Sequence, residues 1–233
     1  VSVLDARLAD PTAAGLIASC IGSQPALTAA LLQIPELNLL LVDSRGKLHF
    51  ANRAGQLWLK GTDAATAPVA DVLLDHVAPH DVATELLGLI LRAEQSGLPI
   101  LYRFVRRGAQ YESCLVSIGQ ANSNGPTVLM ATRAGQSAVI AEQGEYEVHE
   151  SRFIDLGPLD VLTPRELEVL ALLREPLSMA SIAQRLKRSV KTVDRHVTSI
   201  RHKLKVHSRV ELVHLAERAN LVLPDAALLR RKW

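Results

Sequence analysis

The chain has 233 residues, 48% hydrophobic and only 3% aromatic, with 26 Lys and Arg against 24 Asp and Glu. That length allows one or two domains, each with its own core, built here from Leu, Val, Ile and Ala rather than from rings. No apolar run reaches the roughly 18–20 residues that cross a membrane, no basic segment followed by an apolar one opens the chain, and two cysteines, Cys20 and Cys114, make no disulfide framework. The expected compartment is therefore a reducing cytoplasm, with no membrane partner.

Residues 1–33 read as helical, with amphipathic stretches near 12–22 and 25–33 broken by Pro11, Gly22 and Pro25. Residues 37–43 form a strand-like apolar run, Ser44-Arg45-Gly46-Lys47 is turn material, and 48–52 is a second strand. Residues 53–60 and 68–78 read as short helices. Asp81 is placed to cap a longer helix that runs to Ser96, before Gly97 and Pro99. Three strands are expected at 100–107, 111–119 and 127–133, with turns at Arg107-Gly108-Ala109 and at 122–125. Residues 134–157 read as a solvated or partly helical linker. Its Glu142, Glu145, Glu147 and Glu150 are expected to mask a basic helix further on.

Four short capped helices follow. Thr163 is a good N-cap, Pro164 suits the first helical position and Glu166 sits three residues after the cap, completing a capping box. Ser178 opens a segment whose Ile182, Ala183 and Leu186 share one face, Ser189 caps a third helix, and Ser208 with Glu211 makes another box. In the third helix Val193, Val197, Ile200 and Leu204 form an apolar stripe that must face a core. The opposite face centres on Lys191, Arg195, Thr198 and His202, flanked by Asp194, Arg201 and Lys205.

A helix of this kind fits the major groove of DNA, where its N-terminal residues reach base edges. Arg195 suits the O6 and N7 of guanine, Asp194 a cytosine amino group, and Thr198 a base or a phosphate. Thr192 lies in the same first turns. Arg188, Lys191 and Arg201 suit phosphates, which set register but not sequence. Charge is distributed to match: residues 157–233 hold 15 Lys and Arg against 8 Asp and Glu, whereas residues 1–156 hold 11 against 16.

Leu162-Thr163-x-Arg165-Glu166-x-Glu168-Val169-Leu170, Ile182-Ala183-x-x-Leu186, Thr192-Val193-x-x-His196, Ile200-x-x-Lys203-Leu204 and Ser208-Arg209-x-Glu211-Leu212 resemble the LuxR-type DNA-binding domain. The resemblance covers about a quarter of the chain. Sigma-factor region 4 shares the opening motif but not the continuation. The resemblance implies a four-helix domain that reads double-stranded DNA with its third helix and dimerises through its fourth, at 208–219. Two features depart from it. Glu175-Pro176-Leu177 replaces the usual glycine between the first two helices, so that turn must be built differently. Asp194 replaces a basic residue that touches DNA in many relatives. His196 matches the family but points to the core side of its helix.

In the first domain, Val42-Asp43-x-x-Gly46, Asn52-Arg53-Ala54 and Ala78-Pro79-His80-Asp81, with the order strand, strand, helices, three strands, resemble a PAS domain over 36–133. That implies a five-stranded antiparallel sheet with helices over one face, used for sensing or dimerisation. The implied pocket lining draws on alternating strand positions, Tyr102 and Phe104, Cys114 and Val116, Val128 and Met130, with Trp58 from the helical side. His49, His76 and His80 are available as ligands, but no Cys-x-x-Cys-His or Asn-Cys-Arg context occurs, and no fixed cofactor is expected.

A receiver domain would need an acidic pair after the first strand, a later phosphoacceptor Asp and a Lys, and these are missing. An acyl-homoserine-lactone pocket would need more Trp and Tyr. No phosphate loop, metal-ligand spacing or nucleophile motif points to an enzyme.

The fold expected is α+β: a helical segment (1–33), a PAS-like antiparallel sheet with helices (34–133), the acidic linker (134–157), an all-α four-helix LuxR-type helix-turn-helix domain (158–223) and a basic tail (224–233). The function expected is a homodimeric transcription regulator. A small-molecule ligand of the PAS-like domain and RNA polymerase are its further partners. The alternatives are a dimeric scaffold with a degenerate helix-turn-helix and an atypical, phosphorylation-independent response regulator.

Overall fold

The structure, a computed structural model, describes residues 34, 36–60, 71–118, 127–135 and 145–232. The expectations for 1–33, for Cys20 and for the turn at 122–125 lie outside these residues. The strands are β1 (Asn38–Val42), β2 (Lys47–Ala51), β3 (Val72–Leu73), β4 (Ile100–Arg106), β5 (Ala109–Ser117), β6 (Val128–Ala134), β7 (Glu147–Ile154) and β8 (Leu229–Arg230). The helices are α1 (Arg53–Lys60), α2 (His80–Ser96), α3 (Pro164–Leu173), α4 (Met179–Arg185), α5 (Val190–Leu204) and α6 (Arg209–Ala219). The chain divides into two compact units. One comprises Val1–Leu101, Ser113–Arg133 and Gly144–Val148; the other comprises Tyr102–Glu112, Ala134–Gln143 and His149–Trp233.

The first unit is an N-terminal sheet with helices, with strand order β3-β2-β1-β6-β5-β4. β1 pairs antiparallel with β2 and β6 (Leu40 opposite Ala51 and Met130), and all five of its residues are buried, as a central strand covered on both faces requires. Asp43 ends β1 by accepting from the N–H groups of Arg45 and Lys47 at 2.9 and 3.0 Å, which lets Gly46 turn with a φ of 77°. Buried Asn52 leads from β2 into α1. Its side-chain oxygen accepts from the N–H groups of Leu39 and Gly55, and its amide donates to the carbonyl of Leu37.

α2 buries Val82, Ala83, Leu86, Leu89, Ile90 and Ala93 along one stripe and stops at Gly97, whose φ of 66° is left-handed. It begins at His80 behind Pro79, one residue before the expected cap; the Asp81 carboxylate accepts from the N–H of its neighbour Val82 at 3.1 Å. Within 68–78, the described residues form β3 and one 3-10 turn at Leu74–His76 rather than a helix.

In the second unit the strand order is β5-β4-β7-β8, and four helices share one core. One expectation changes here. Residues 147–154 of the acidic linker are strand β7. Asp155, just past its end, donates its N–H to the carbonyl of Val105 in β4. The linker's Glu150 faces Arg103 at 3.8 Å, while in the first unit Glu147 pairs with Arg92 at 2.5 Å. These two acids thus engage arginines outside α5. The basic tail is engaged as well. β8 pairs parallel with β7, Arg230 donates to the carbonyl of Leu162 and to Asp160, and the Arg231 guanidinium lies 5.6 Å from the Phe153 ring centroid.

Candidate nucleic-acid interface

The helical domain is built around α5. Ser189 caps it, accepting from the Thr192 N–H at 3.1 Å, and Lys205 ends it in a left-handed conformation. Val193, Val197 and Ile200 are buried as the stripe demands, with Leu204 packed against the same core. α4 enters the turn before α5 through left-handed Lys187, and Arg188 donates its N–H to the carbonyl of Ala183. The turn between α3 and α4 dispenses with a left-handed residue: Arg174 ends α3 with a φ of −71°, Leu177 bonds back to the carbonyl of Glu175, and the Glu175 side chain pairs with Arg185.

The eight sequence-chosen residues separate into two groups. Arg188, Lys191, Asp194, Arg195, Thr198 and His202 are exposed. Thr198 uses its hydroxyl hydrogen on the carbonyl of Asp194 at 3.0 Å. Thr192 and Arg201 are half-buried and engaged within the domain. The Thr192 hydroxyl lies 2.8 Å from the capping Ser189 hydroxyl, and the Arg201 guanidinium donates to the carbonyl of His207. His196 is half-buried, on the flank of the core stripe.

What positions this face was only partly visible in sequence. The Glu166 carboxylate, 4% exposed, closes the capping box by accepting from the Thr163 N–H at 2.8 Å, and it also reaches α5. There it accepts from the Ser199 hydroxyl at 2.7 Å and the Lys203 ammonium at 2.7 Å. Burial alone would raise its pKa, but the bonds from Lys203, Ser199 and Thr163 outweigh that and hold it at about 2. Ser199 and Lys203 are spaced i, i+4 on one side of α5, a signal that becomes legible only once Glu166 is known to lie opposite.

The residues chosen for a ligand pocket are not brought together as a set. Cys114 and Met130 fall on opposite faces. The Thr132 hydroxyl donates to the Ser113 hydroxyl at 2.8 Å, so Ser113 shares the face of Thr132 and Met130, and its neighbour Cys114 points the other way. Grouping them in one lining is corrected by this register. Cys114 is half-buried, and burial pushes its thiol pKa up. Trp58 is half-buried on α1, and Met130 is buried. Tyr102 and Phe104 belong to the second unit. There they stack at 4.9 Å, with Tyr111 and His149 beside them, as packed core. Among the described residues, no group of three or more His, Cys, Asp or Glu could hold a metal, and no helix is long and apolar enough to cross a membrane.

A family model described as bacterial regulatory proteins, luxR family, matches residues 160–216. The transcriptional activator protein ExaE of Pseudomonas putida is 45% identical over 64 residues, 28% of this chain and 30% of that protein. The oxygen regulatory protein NreC of Staphylococcus carnosus is 42% identical over 65 residues, again 28% and 30%. The chain thus covers about 30% of the length of these curated relatives. Similar solved structures include VqmA bound to DPO, with TM-score 0.40, 16% identity and coverage of 90% of this chain and 99% of that one. A Vibrio cholera VqmA-ligand-DNA complex gives TM-score 0.44, 18% identity, 90% and 94%.

Proposed function

We propose, from the match of residues 160–216 to the luxR family of bacterial regulatory proteins, that the protein is a sequence-specific, double-stranded-DNA-binding transcription regulator. The observation that carries the proposal is α5 itself. Its apolar stripe is locked in the core, its side is clamped by Glu166, and Arg188, Lys191, Asp194 and Arg195 stand exposed at its N-terminal end. In this reading α5 enters the major groove. Arg195 pairs with a guanine, Asp194 accepts from a cytosine amino group, Arg188 and Lys191 meet phosphates, and Thr198 and His202 flank them.

The protein acts as a homodimer joined through α6, whose outer face carries Val210, 64% exposed. The PAS-like domain modulates it, with a small molecule as the ligand class and RNA polymerase as a downstream partner.

The test is enrichment of duplexes from a random library by the full-length chain, followed by binding of the enriched duplex. Arg195→Ala is expected to weaken binding by on the order of 1–3 kcal/mol and to relax preference at one base position. Equal affinity with equal selectivity would remove Arg195 as a base reader. The second reading, a dimeric scaffold with a degenerate helix-turn-helix, is kept by Asp194, an exposed acid on the surface that would face phosphate. A chain that enriches no duplex would favour it.

A further inference from the structure

The tip of the β4–β5 hairpin belongs to the same compact unit as the helices. Its turn interlocks with the segment leading into α3. Arg107 and Gly108 both have positive φ, 51° and 75°, the geometry of a two-residue hairpin turn. Arg107 adopts a conformation that disfavours side chains, and Asp155 holds it there. One carboxylate oxygen accepts from the Arg107 N–H at 2.9 Å and the other from the Gly157 N–H at 3.0 Å. The Asp155 carbonyl accepts from the Gly108 N–H at 2.8 Å.

The fit is tight in both directions. A Cβ on Gly108 would lie 2.7 Å from the carbonyl oxygen of Leu156, and a Cβ on Gly157 would lie 2.7 Å from the carbonyl carbon of Arg107. A second anchor sits two residues on. The Asn220 amide donates to the Gln110 side chain at 3.0 Å, and Asn220 is the left-handed residue that ends α6, held in turn by Arg174 at the end of α3. Buried Val105 of β4 belongs to the same apolar core as the helices.

We infer that this turn is a docking joint. It grips the helical domain where the chain enters it, at Asp155 and Gly157, and where its last helix ends, at Asn220. β4 begins and β5 ends in the sheet unit, so a ligand or partner that alters their pairing acts on DNA affinity through the joint. The inference rests on the DNA-reading proposal. Its bonds reach Asp155, ahead of α3, and Asn220, at the end of α6, but no residue of α5, so loosening the joint leaves the base-reading side chains chemically intact.

The test uses the full-length chain with Gly108→Ala and, separately, Gln110→Ala, which removes only the bond to Asn220. Amide hydrogen exchange is followed at residues 105–111 and 154–160, and affinity is measured for the duplex enriched by the wild type. Exchange is expected to rise about tenfold in Gly108→Ala, and affinity to change about fivefold or more while the same sequence is still preferred. Faster exchange with unchanged affinity would reduce the joint to a structural contact, and unchanged exchange would show that no clasp exists. If Gly108→Ala does not fold, Gln110→Ala carries the same comparison. A wild-type chain that enriches no duplex overturns the DNA reading and the transmitted effect with it, whatever the exchange data show.

Discussion

Glu166 serves two elements with one carboxylate, capping α3 and holding Ser199 and Lys203 of α5. Its pKa in the folded chain, about 2, lies below its ordinary 4.5. A depressed folded-state pKa means that its stabilisation is fully present above the ordinary value and is lost as pH falls toward 2. Glu166→Gln should therefore cost roughly 2–3 kcal/mol at pH 7, because the Lys203 ammonium loses its partner. It should also flatten the acid limb of a urea-stability profile below about pH 4.5. A variant with wild-type stability and an unchanged acid limb would mean that the bonds are not formed in solution. Asp225 has the opposite sign. Burial, reinforced by Glu150, raises its pKa to about 6 from 3.8, so its contribution is present at low pH and fades as pH rises through 6.

At the scale of elements, the caps were the most readable part of the chain. Thr163, Ser178, Ser189 and Ser208 each accept from an N–H in the first turn of the helix they precede. A helix start has orphan donors and a small set of side chains that satisfy them, so the signal is local. Ser189→Ala should lower thermal stability by about 1 kcal/mol and weaken DNA binding, since the freed turn carries Lys191. Calorimetry with and without the enriched duplex checks both, and an unchanged midpoint would mark the cap as redundant.

β7 was far less readable. Its sequence, Glu-Val-His-Glu-Ser-Arg-Phe-Ile, is acidic at the start and does not alternate cleanly. Pairing with β4 and β8 makes it a strand, and those partners lie more than forty residues away on one side and more than seventy on the other. The tail shows the same thing: β8 brings Arg230 to Asp160 and the Leu162 carbonyl and Arg231 to the Phe153 ring, contacts that its local sequence does not encode.

For the whole molecule, the separation of charge into an acidic first part and a basic second part predicts salt-dependent binding. Arg188, Lys191 and Arg195 are exposed and make no ion pair among the described residues. If Arg188 and Lys191 each neutralise a phosphate while Arg195 meets a base, the logarithm of the binding constant should fall with that of salt concentration with a slope of about −2 per bound domain. A slope near zero in a titration from low to moderate salt would favour the scaffold reading. The sequence by itself determined the helical domain, its four caps, the buried stripe of α5 and the exposed face opposite, because each depends on residues within a few turns of one another. It also placed all the strands of the N-terminal sheet except the short β3, through apolar runs and turn residues. Only the tertiary structure decided that Cys114 and Met130 lie on opposite faces and that Thr192 and Arg201 are already engaged. It alone decided that Glu166 clamps α5 and that Asp155 locks the Arg107–Gly108 turn. Each of those depends on groups distant in sequence meeting at hydrogen-bond distance, and no local pattern encodes such a meeting.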